Sequence, residues 1–288
     1  MNQKVFKKMG ALIREKYFWR NVLTIPGFLF TLATGFLSFF DWDKKEYLFY
    51  GLVISSFCLI LYFLYRYSTI KVTNLILNDS NFEITIGDIF NQEEDDFKVI
   101  AFNEYFDTKV DGNIISPRSL NGQYITKFYP NEKELKELDD RIAADDKLKK
   151  KVKEKNVDRF NGGKTTSYNL GSVYKDGNYF LVAFSKFNEK DEANLKLSEY
   201  ANCLINFWDE VNTLYNQQTV VLPLLGAGIT RHSDFEAKDQ ELLEVLIWTF
   251  KISKVRFKEP AKVKVVIHEL QKDNINFYQL KEGENIGV

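Results

Sequence analysis

Histidine and cysteine are scarce in this 288-residue chain, and their scarcity excludes several classes of function. The two cysteines, Cys58 and Cys203, lie far apart in apolar contexts, so they form neither a disulfide framework nor a Cys/His cluster. The histidines, His232 and His268, are too few to support zinc chemistry. We therefore predict that the chain has no metal site and no bound cofactor.

An excess of positive charge is also missing. The chain has 39 Lys and Arg residues against 40 Asp and Glu residues, which gives a formal net charge of -1. A nucleic-acid-binding protein would carry a basic bias, so we expect no nucleic-acid partner. The length allows one large domain or two modest ones.

Charged residues are absent from two long stretches near the amino terminus, Val22–Phe40 and Tyr47–Tyr65. Each has nineteen residues and, as a helix that rises about 1.5 Å per residue, is long enough to cross a hydrocarbon layer of about 30 Å. A cleaved signal peptide would not be followed directly by a second span. We predict two retained transmembrane helices, at about 22–40 and 47–65, within an N-terminal region of residues 1–68.

The distribution of basic residues predicts the orientation of these spans. The first twenty residues hold six lysines and arginines against Glu15 alone, and Arg66 and Lys71 follow the second span. The connection 41–46 holds three acids and two lysines. By the positive-inside rule, both termini of this multi-pass protein face the cytoplasm, and only the connection 41–46 faces out. Residues 69–288 are then a cytosolic ligand-binding domain.

Small residues recur along one face of each predicted span. Gly27, Thr31 and Gly35 follow at intervals of four in the first span, and Gly51 and Ser55 do so in the second. Such residues let helices approach closely, either within the hairpin or between subunits, and the sequence leaves both alternatives open. Neither span carries an ionisable residue of the kind that lines a transport path, which argues against a dedicated ion or proton transporter.

The stretch Thr219–Arg231 has the strongest pattern of the remaining chain. Its apolar, β-branched beginning is typical of a buried strand, which runs into Gly226-Ala227-Gly228 and then a predicted helix. Glycines at the end of such a strand let backbone N–H groups approach an anion, and a helix amino terminus adds positive potential. An ordinary strand-to-helix turn is the alternative.

Strand and helix patterns alternate through the second half, which predicts a layered α/β domain with helices on both faces of a sheet. Strands are predicted at 69–77, 82–86, 97–102, 170–174, 179–184 and 262–267, and helices at 192–215 and 239–250. The charged segment 131–155 reads as one helix-prone stretch. Its lysine-rich part, 147–155, is either a solvated face or a surface for anionic lipid.

Polar residues follow two of the predicted strands. Asp88 comes after the strand 82–86, and Asn103 ends the strand 97–102, with Asp107 shortly behind it. Open α/β sheets bind ligands at the carboxyl ends of their strands. Asp88 could accept hydrogen bonds from an amine and Asn103 could bind a sugar hydroxyl. Both could instead cap turns or helices.

The order of these motifs resembles that of macro domains. A strand ending in Gly-Asp-Ile, a strand ending in Asn, a glycine-bearing loop, a long helix and a strand followed by Gly-x-Gly-Ile occur in this order over about residues 69–280. The resemblance implies a three-layer α/β/α sandwich that binds ADP-ribose or a relative. It implies that Asp88 and Ile89 receive adenine, that Asn103 lies near the distal ribose and that Leu225–Thr230 wraps the diphosphate. The ligand-binding residues predicted in this way are Asp88, Ile89, Asn103, Asp107, Arg118, Ser119, Leu120, Asn121, Gly122, Leu225, Gly226, Ala227, Gly228, Ile229 and Thr230.

The combination of two spans with a divergent macro domain that carries NEYFDT and SLNGQ is similar to transmembrane effectors of type II Thoeris antiphage systems. The resemblance implies that a TIR-domain partner makes an ADP-ribose-derived signal, a histidine conjugate, which the macro domain senses. It also implies that the protein lies in the bacterial inner membrane and forms homo-oligomers that damage this membrane.

Catalytic macro domains usually carry a glycine triplet in the first phosphate loop, whereas the corresponding stretch Ser116–Gly122 has one glycine. We therefore predict no catalytic residues. The alternative is a membrane-anchored ADP-ribosyl hydrolase in which Asn103 or Asp107 positions water.

Overall fold

A computed structural model describes residues 3–39, 45–187, 193–228, 231–232 and 238–284, which fall into two compact units. The first unit comprises residues 1–73 and 277–287, and the second comprises residues 74–276. The helices are α1 (Gln3–Ile13), α2 (Lys16–Phe39), α3 (Lys45–Ser68), α4 (Leu120–Phe128), α5 (Glu132–Ala144), α6 (Asp146–Lys149), α7 (Leu197–Leu214), α8 (Asp239–Ser253) and α9 (Phe277–Glu284). The strands are β1 (Val72–Leu77), β2 (Ser80–Ile86), β3 (Phe97–Asn103), β4 (Val152–Glu154), β5 (Ser167–Tyr168), β6 (Val173–Asp176), β7 (Tyr179–Phe187), β8 (Ala193–Leu195), β9 (Val220–Pro223), β10 (Arg231–His232) and β11 (Val263–Ile267).

The first unit is built from α1, α2, α3 and α9. By length and composition, α2 and α3 are each apolar enough to cross a membrane, and only 11% and 6% of their most apolar windows are buried. The predicted spans 22–40 and 47–65 coincide with these helices, although Phe40 itself lies outside the described residues. A small core lies at one end of the pair of helices. It consists of Leu12, Phe18, Val22, Leu64 and Tyr278.

The second unit is organised around a sheet whose described strands run in the order β1-β2-β11-β9-β3-β7-β8-β10, with β6 paired to β7. Five adjacent strands, β2, β11, β9, β3 and β7, are parallel. Their carboxyl ends therefore meet at one edge of the sheet. The strand interiors are largely buried and apolar, as expected for parallel strands covered on both faces.

Helices cover both faces of this sheet. Successive side chains of a strand point to opposite faces. In β7, Ala183 belongs to a core cluster that includes Tyr124 of α4 and Leu138 of α5, whereas the ring of Phe184 meets Tyr200 of α7. The predicted α/β class with a macro-domain-like three-layer arrangement, preceded by two apolar helices, is confirmed.

Several predicted elements differ from the observed ones, and the predicted strand 170–174 is observed as β6, Val173–Asp176. The segment 131–155 is not one helix: α5 ends before Asp145, whose side chain accepts a hydrogen bond from the Leu148 N–H and so begins α6. Residues 152–154 then form β4, which pairs with β5. The predicted helix 192–215 begins at Leu197, because Glu199 accepts a hydrogen bond from the Lys196 N–H and caps the helix there.

Candidate functional site

A cavity of about 660 Å³ lies where the five parallel strands end. Its lining includes residues at or just after the carboxyl ends of β2, β3, β7, β9 and β11, together with the segment 112–123 before and within α4. The predicted ligand-binding residues that line it are Asp88, Ile89, Asn103, Arg118, Ser119, Leu120, Asn121, Leu225, Gly226, Ala227 and Gly228. Asp107 and Gly122 are not in the lining, and Ile229 and Thr230 lie outside the described residues.

The glycine loop after β9 forms one wall. Gly226 has a φ of +83°, which a residue with a side chain adopts only at a cost, and the Ala227 N–H donates to the Leu224 carbonyl over 3.3 Å. A Cβ added to Gly228 would meet no atom of the described residues within 4 Å. A side chain at position 228 would therefore enter open space beside the cavity.

Tyr200 of α7 holds this loop against α8, a role that the sequence did not reveal. Its hydroxyl oxygen is 3.1 Å from both the Leu225 and the Leu242 carbonyl oxygens. Complete burial raises the pKa of Tyr200, so the phenol stays protonated and donates a hydrogen bond. The start of the loop is thereby fixed to two helices.

The opposite wall is the loop Ser116–Asn121 with the amino terminus of α4. Ser119 caps the helix, since its Oγ accepts from the Gly122 N–H over 3.2 Å. Gly122 is required for close packing, because a Cβ there would come within 2.2 Å of the Ser116 carbonyl oxygen. Gly122 therefore shapes this wall without lining the cavity.

A helix does not follow the glycine loop directly, contrary to our prediction. The helix α8 begins at Asp239, eleven positions after Gly228, and the short strand β10 lies between them. The helix amino terminus that lines the cavity belongs to α4 instead. An anion in the cavity would therefore meet the positive end of α4 from the opposite wall.

Asp88 lies at one end of the cavity on an exposed turn. Its Oδ1 accepts from the Phe90 N–H over 2.9 Å, and its carbonyl oxygen accepts from the Asn91 N–H. Among the described residues, Oδ2 accepts no hydrogen bond. Ile89 beside it is 3% exposed and offers an apolar surface. This end can accept a hydrogen bond from a donor next to an apolar group.

Asn103 and Asp107 lie in the loop after β3, and both are buried. The Asn103 Oδ1 accepts from the N–H groups of Tyr105 and Asp107, and its Nδ2 donates to the Asp107 Oδ2 over 2.9 Å. The carboxylate of Asp107 also pairs with the Arg159 guanidinium at 2.8 Å and accepts from the Lys164 N–H at 2.8 Å. Asp107 thus binds neighbouring loops, while Asn103 forms part of the cavity wall.

The residues around Asp107 form a charged cluster, in which Asp107 and Arg159 are buried and Lys164 and Asp139 are partly exposed. The side chain of Arg159 is 2% exposed and lies over the Tyr105 ring at 4.0 Å. Lys164 pairs with Asp139 and donates to the Phe106 carbonyl. Burial lowers the pKa of Lys164, which the neighbouring carboxylates of Asp139 and Asp107 oppose. This cluster fixes the loop that carries Asn103.

The sequence did not predict several residues of the lining as ligand-binding residues. They include Phe184, Ser185, Phe187, His268, Leu270 and Gln271. His268 follows β11 as Asp88 follows β2, so the end of the last predicted strand was a usable signal. Among the described residues, no group of three or more His, Cys, Asp or Glu side chains could hold a metal ion.

Sequence comparisons give two matches. A family profile described as "Thoeris protein ThsA, Macro domain" matches residues 82–268. Over 283 residues the chain is 47% identical to the curated "Thoeris protein ThsA" of Bacillus amyloliquefaciens (strain Y2), a match that covers 98% of this chain and 94% of that protein.

Solved structures of the Oceanobacillus iheyensis macrodomain are also similar. A mutant with ADPR is 13% identical, with a TM-score of 0.45, over 75% of this chain and 100% of that one. The macrodomain with ADP is 15% identical, with a TM-score of 0.44, over 75% of this chain and 97% of that one. Assignment to a family depends on the two sequence matches and not on these distant structures.

Proposed function

The chain belongs to the Thoeris ThsA family, and we propose that it is a membrane-bound antiphage effector whose macro domain senses an ADP-ribose-derived nucleotide. The observation that carries this proposal is the cavity at the carboxyl ends of five parallel strands, walled by the glycine loop and by the amino terminus of α4. Its volume of about 660 Å³ falls within the range of about 300–1,000 Å³ typical of small-molecule sites.

The ligand's diphosphate lies between the two walls. Backbone N–H groups of the segment Leu225–Thr230 neutralise it from one side, and the helix α4 adds its positive end from the other. Arg118, which is exposed, lines the cavity next to α4, and its guanidinium adds a positive charge that attracts the diphosphate.

The rest of the ligand extends from the diphosphate in two directions. Asp88 accepts a hydrogen bond from the adenine amino group, and Ile89 packs against the ring. Asn103 lies near the distal ribose. Arg118 and Asn121 are close enough to the cavity to contact a distal group such as histidine, which a TIR-domain partner would supply as a conjugate of ADP-ribose.

The helices α2 and α3 cross the inner membrane, with both termini in the cytoplasm. Each has 24 residues and spans about 36 Å, which exceeds the hydrocarbon thickness of about 30 Å. Large apolar side chains such as Phe28 and Phe36 are exposed on α2. Hydroxyls in this helix bond to carbonyls of the preceding turn, as Thr31 does to Gly27 and Thr34 to Phe30, so they are satisfied without water.

The small residues of these helices favour assembly between subunits. A Cβ added to Gly27, Gly35 or Gly51 would meet no described atom within 4 Å, so these glycines do not pack the hairpin against itself. Their faces remain available to other copies of the chain. Homo-oligomers formed in response to the nucleotide would then disrupt the bilayer.

The same site favours binding without hydrolysis. Both oxygens of Asp107 already bind Arg159, Lys164 or Asn103, so this carboxylate is not available to activate water. The Asn103 Oδ1 accepts two backbone N–H groups and its Nδ2 donates to Asp107, so this side chain is held in place rather than directed at a water molecule. We therefore infer that the protein is a sensor and returns its ligand unchanged, whereas the alternative hydrolase would release a product that mass spectrometry detects.

The test is calorimetric titration of the full chain in nanodiscs with ADP-ribose. Gly228→Glu places a carboxylate in the open space beside the loop and should abolish measurable binding. Asn212→Glu adds the same charge on an exposed position of α7 outside the cavity lining and should bind like the wild type. Equal affinity of the Gly228→Glu variant and the wild type would refute this site.

A second arm of the test separates an effector from a passive anchor. Dye-loaded liposomes that contain the full chain should leak when ADP-ribose or its histidine conjugate is added, and those with Gly228→Glu should not. Liposomes that stay sealed although calorimetry shows binding would limit the protein to a membrane-anchored receptor.

A further inference from the structure

A short segment of chain leads from the cavity to the apolar helices. We call residues 268–278 the C-terminal strap. At its beginning, His268, Leu270 and Gln271 line the cavity of the second unit. At its end, Tyr278 is a core residue of the first unit. Only seven positions separate Gln271 from Tyr278.

Within the second unit, the strap is bonded to both sides of the loop region that follows β9. The Gln271 Nε2 donates to the Ala227 carbonyl oxygen over 3.0 Å. Further along, the Asn274 Nδ2 donates to the Asp239 Oδ2, and the Asn276 N–H donates to the Gln240 Oε1, each over 2.9 Å. Ala227 precedes the segment 228–238, and Asp239 and Gln240 follow it. The strap is therefore hydrogen-bonded to described residues on both sides of this segment, including Ala227 of the glycine loop.

Within the first unit, the end of the strap packs against the beginning of α2 and the end of α3, which we call the helix bases. Tyr278 is 2% exposed, and its ring centroid lies 4.6 Å from that of Tyr67 in α3 and 6.4 Å from that of Phe18 in α2. Its hydroxyl accepts a hydrogen bond from the Asn21 Nδ2 over 3.2 Å. Closely packed side chains tend to shift between discrete arrangements rather than deform gradually. A displacement of Tyr278 would therefore change the packing of α2 and α3 together.

The other covalent route between the cavity and the helices is longer and stiffer. It runs from Asp88 back to Tyr67 over 21 positions and passes through β2 and β1, which are neighbours in the sheet. The hydrogen bonds of a sheet resist the small shifts that a loop allows. The strap therefore offers the shorter path by which the ligand site can influence the helices.

We propose that the C-terminal strap couples occupancy of the cavity to the arrangement of α2 and α3. This inference rests on the proposed function, because it requires a nucleotide on the glycine loop. When the loop's amides turn towards a diphosphate, the carbonyl of Ala227 reorients and its hydrogen bond with Gln271 changes. The shift reaches Tyr278 along the strap and favours one of two packings at the helix bases. Such coupling requires that the ligand bind one arrangement more tightly than the other.

The test is hydrogen–deuterium exchange of the full chain in nanodiscs, with and without ADP-ribose. In the wild type, exchange should slow by about fivefold or more in residues 224–228, in 272–284 and in the helix bases 17–22 and 64–70. Tyr278→Ala removes the ring that packs on Phe18 and Tyr67, and Tyr278 is not part of the cavity lining. In this variant residues 224–228 should still be protected by ADP-ribose, while 17–22 and 64–70 should no longer respond.

Tyr278→Phe is the matched control, since it keeps the ring and removes the hydroxyl that accepts a hydrogen bond from Asn21; it should transmit the response. If ADP-ribose slows exchange in 224–228 of the wild type but changes nothing in 272–284, the coupling through the strap is wrong and the proposed function still stands. A helix-base response that survives Tyr278→Ala would also overturn it. If no segment responds to ADP-ribose, the proposed function fails, and the coupling that depends on it fails as well.

Discussion

Asp88 and Asp107 follow the strands β2 and β3, which end on the same side of the sheet, yet the two carboxylates have opposite surroundings. Asp88 is exposed at the cavity, and one of its oxygens accepts no hydrogen bond from the described residues. Asp107 is 1% exposed and has both oxygens engaged by an arginine, an amide and a backbone N–H. The difference shows that a carboxylate near the end of a strand can bind a ligand or stabilise the fold. Which role it has depends on the partners that the rest of the chain brings to it.

The same isosteric change at both positions should separate the two roles. Asp107→Asn leaves the buried guanidinium of Arg159 without its counter-charge, so the second unit should lose about 3–5 kcal/mol of unfolding free energy. Denaturant unfolding of the full chain in detergent, followed by the near-UV signal of the buried Trp208, measures this loss. A loss below about 1 kcal/mol would mean that the Asp107–Arg159 pair does not hold the loop.

Asp88→Asn should instead affect binding and leave stability nearly unchanged. The amide oxygen still accepts from the Phe90 N–H, so unfolding free energy should change by no more than about 0.5 kcal/mol. The new NH₂ group opposes the adenine amino group, and the Kd for ADP-ribose should rise by about ten- to a hundredfold. Calorimetry measures the Kd, and an unchanged value would remove Asp88 from the adenine site.

Glu104 provides an intermediate case on the same loop. Its side chain is 4% exposed but pairs with Lys153, which is 43% exposed and can be solvated when the pair is lost. Glu104→Gln should therefore cost only about 1–2 kcal/mol of unfolding free energy, less than Asp107→Asn and with little effect on the Kd. Denaturant unfolding checks the order, and a cost equal to that of Asp107→Asn would contradict this dependence on the partner's burial.

These contrasts also show what the sequence could reveal. The run Val220–Leu225 before Gly226 predicted a buried strand and a loop at a ligand site, because apolar periodicity and glycine act locally. The parallel arrangement followed from the alternation of strands and helices, and with it the meeting of Asp88, Asn103 and Gly226 at one edge of the sheet. The strand and the loop depend on residues that are near one another in the chain, and the meeting of their ends depends only on the general rule that parallel strands end on the same side of a sheet.

Features that depend on distant residues could not be predicted. Asp107 is withdrawn from the cavity by Arg159 and Lys164, which follow it by more than fifty positions. Tyr200 reaches the loop after β9 from a helix that precedes it. The helix amino terminus at the cavity comes from α4, and β10 is the next described element after Gly228. Local patterns carry no information about such tertiary partners.

The most direct test of the account is a cryo-electron microscopy structure of the full chain in nanodiscs with ADP-ribose. We predict density for the diphosphate within hydrogen-bonding distance of the backbone N–H groups of residues 225–230, with adenine beside Asp88. Density for the nucleotide outside this cavity, or a diphosphate that touches neither the glycine loop nor the amino terminus of α4, would contradict the account.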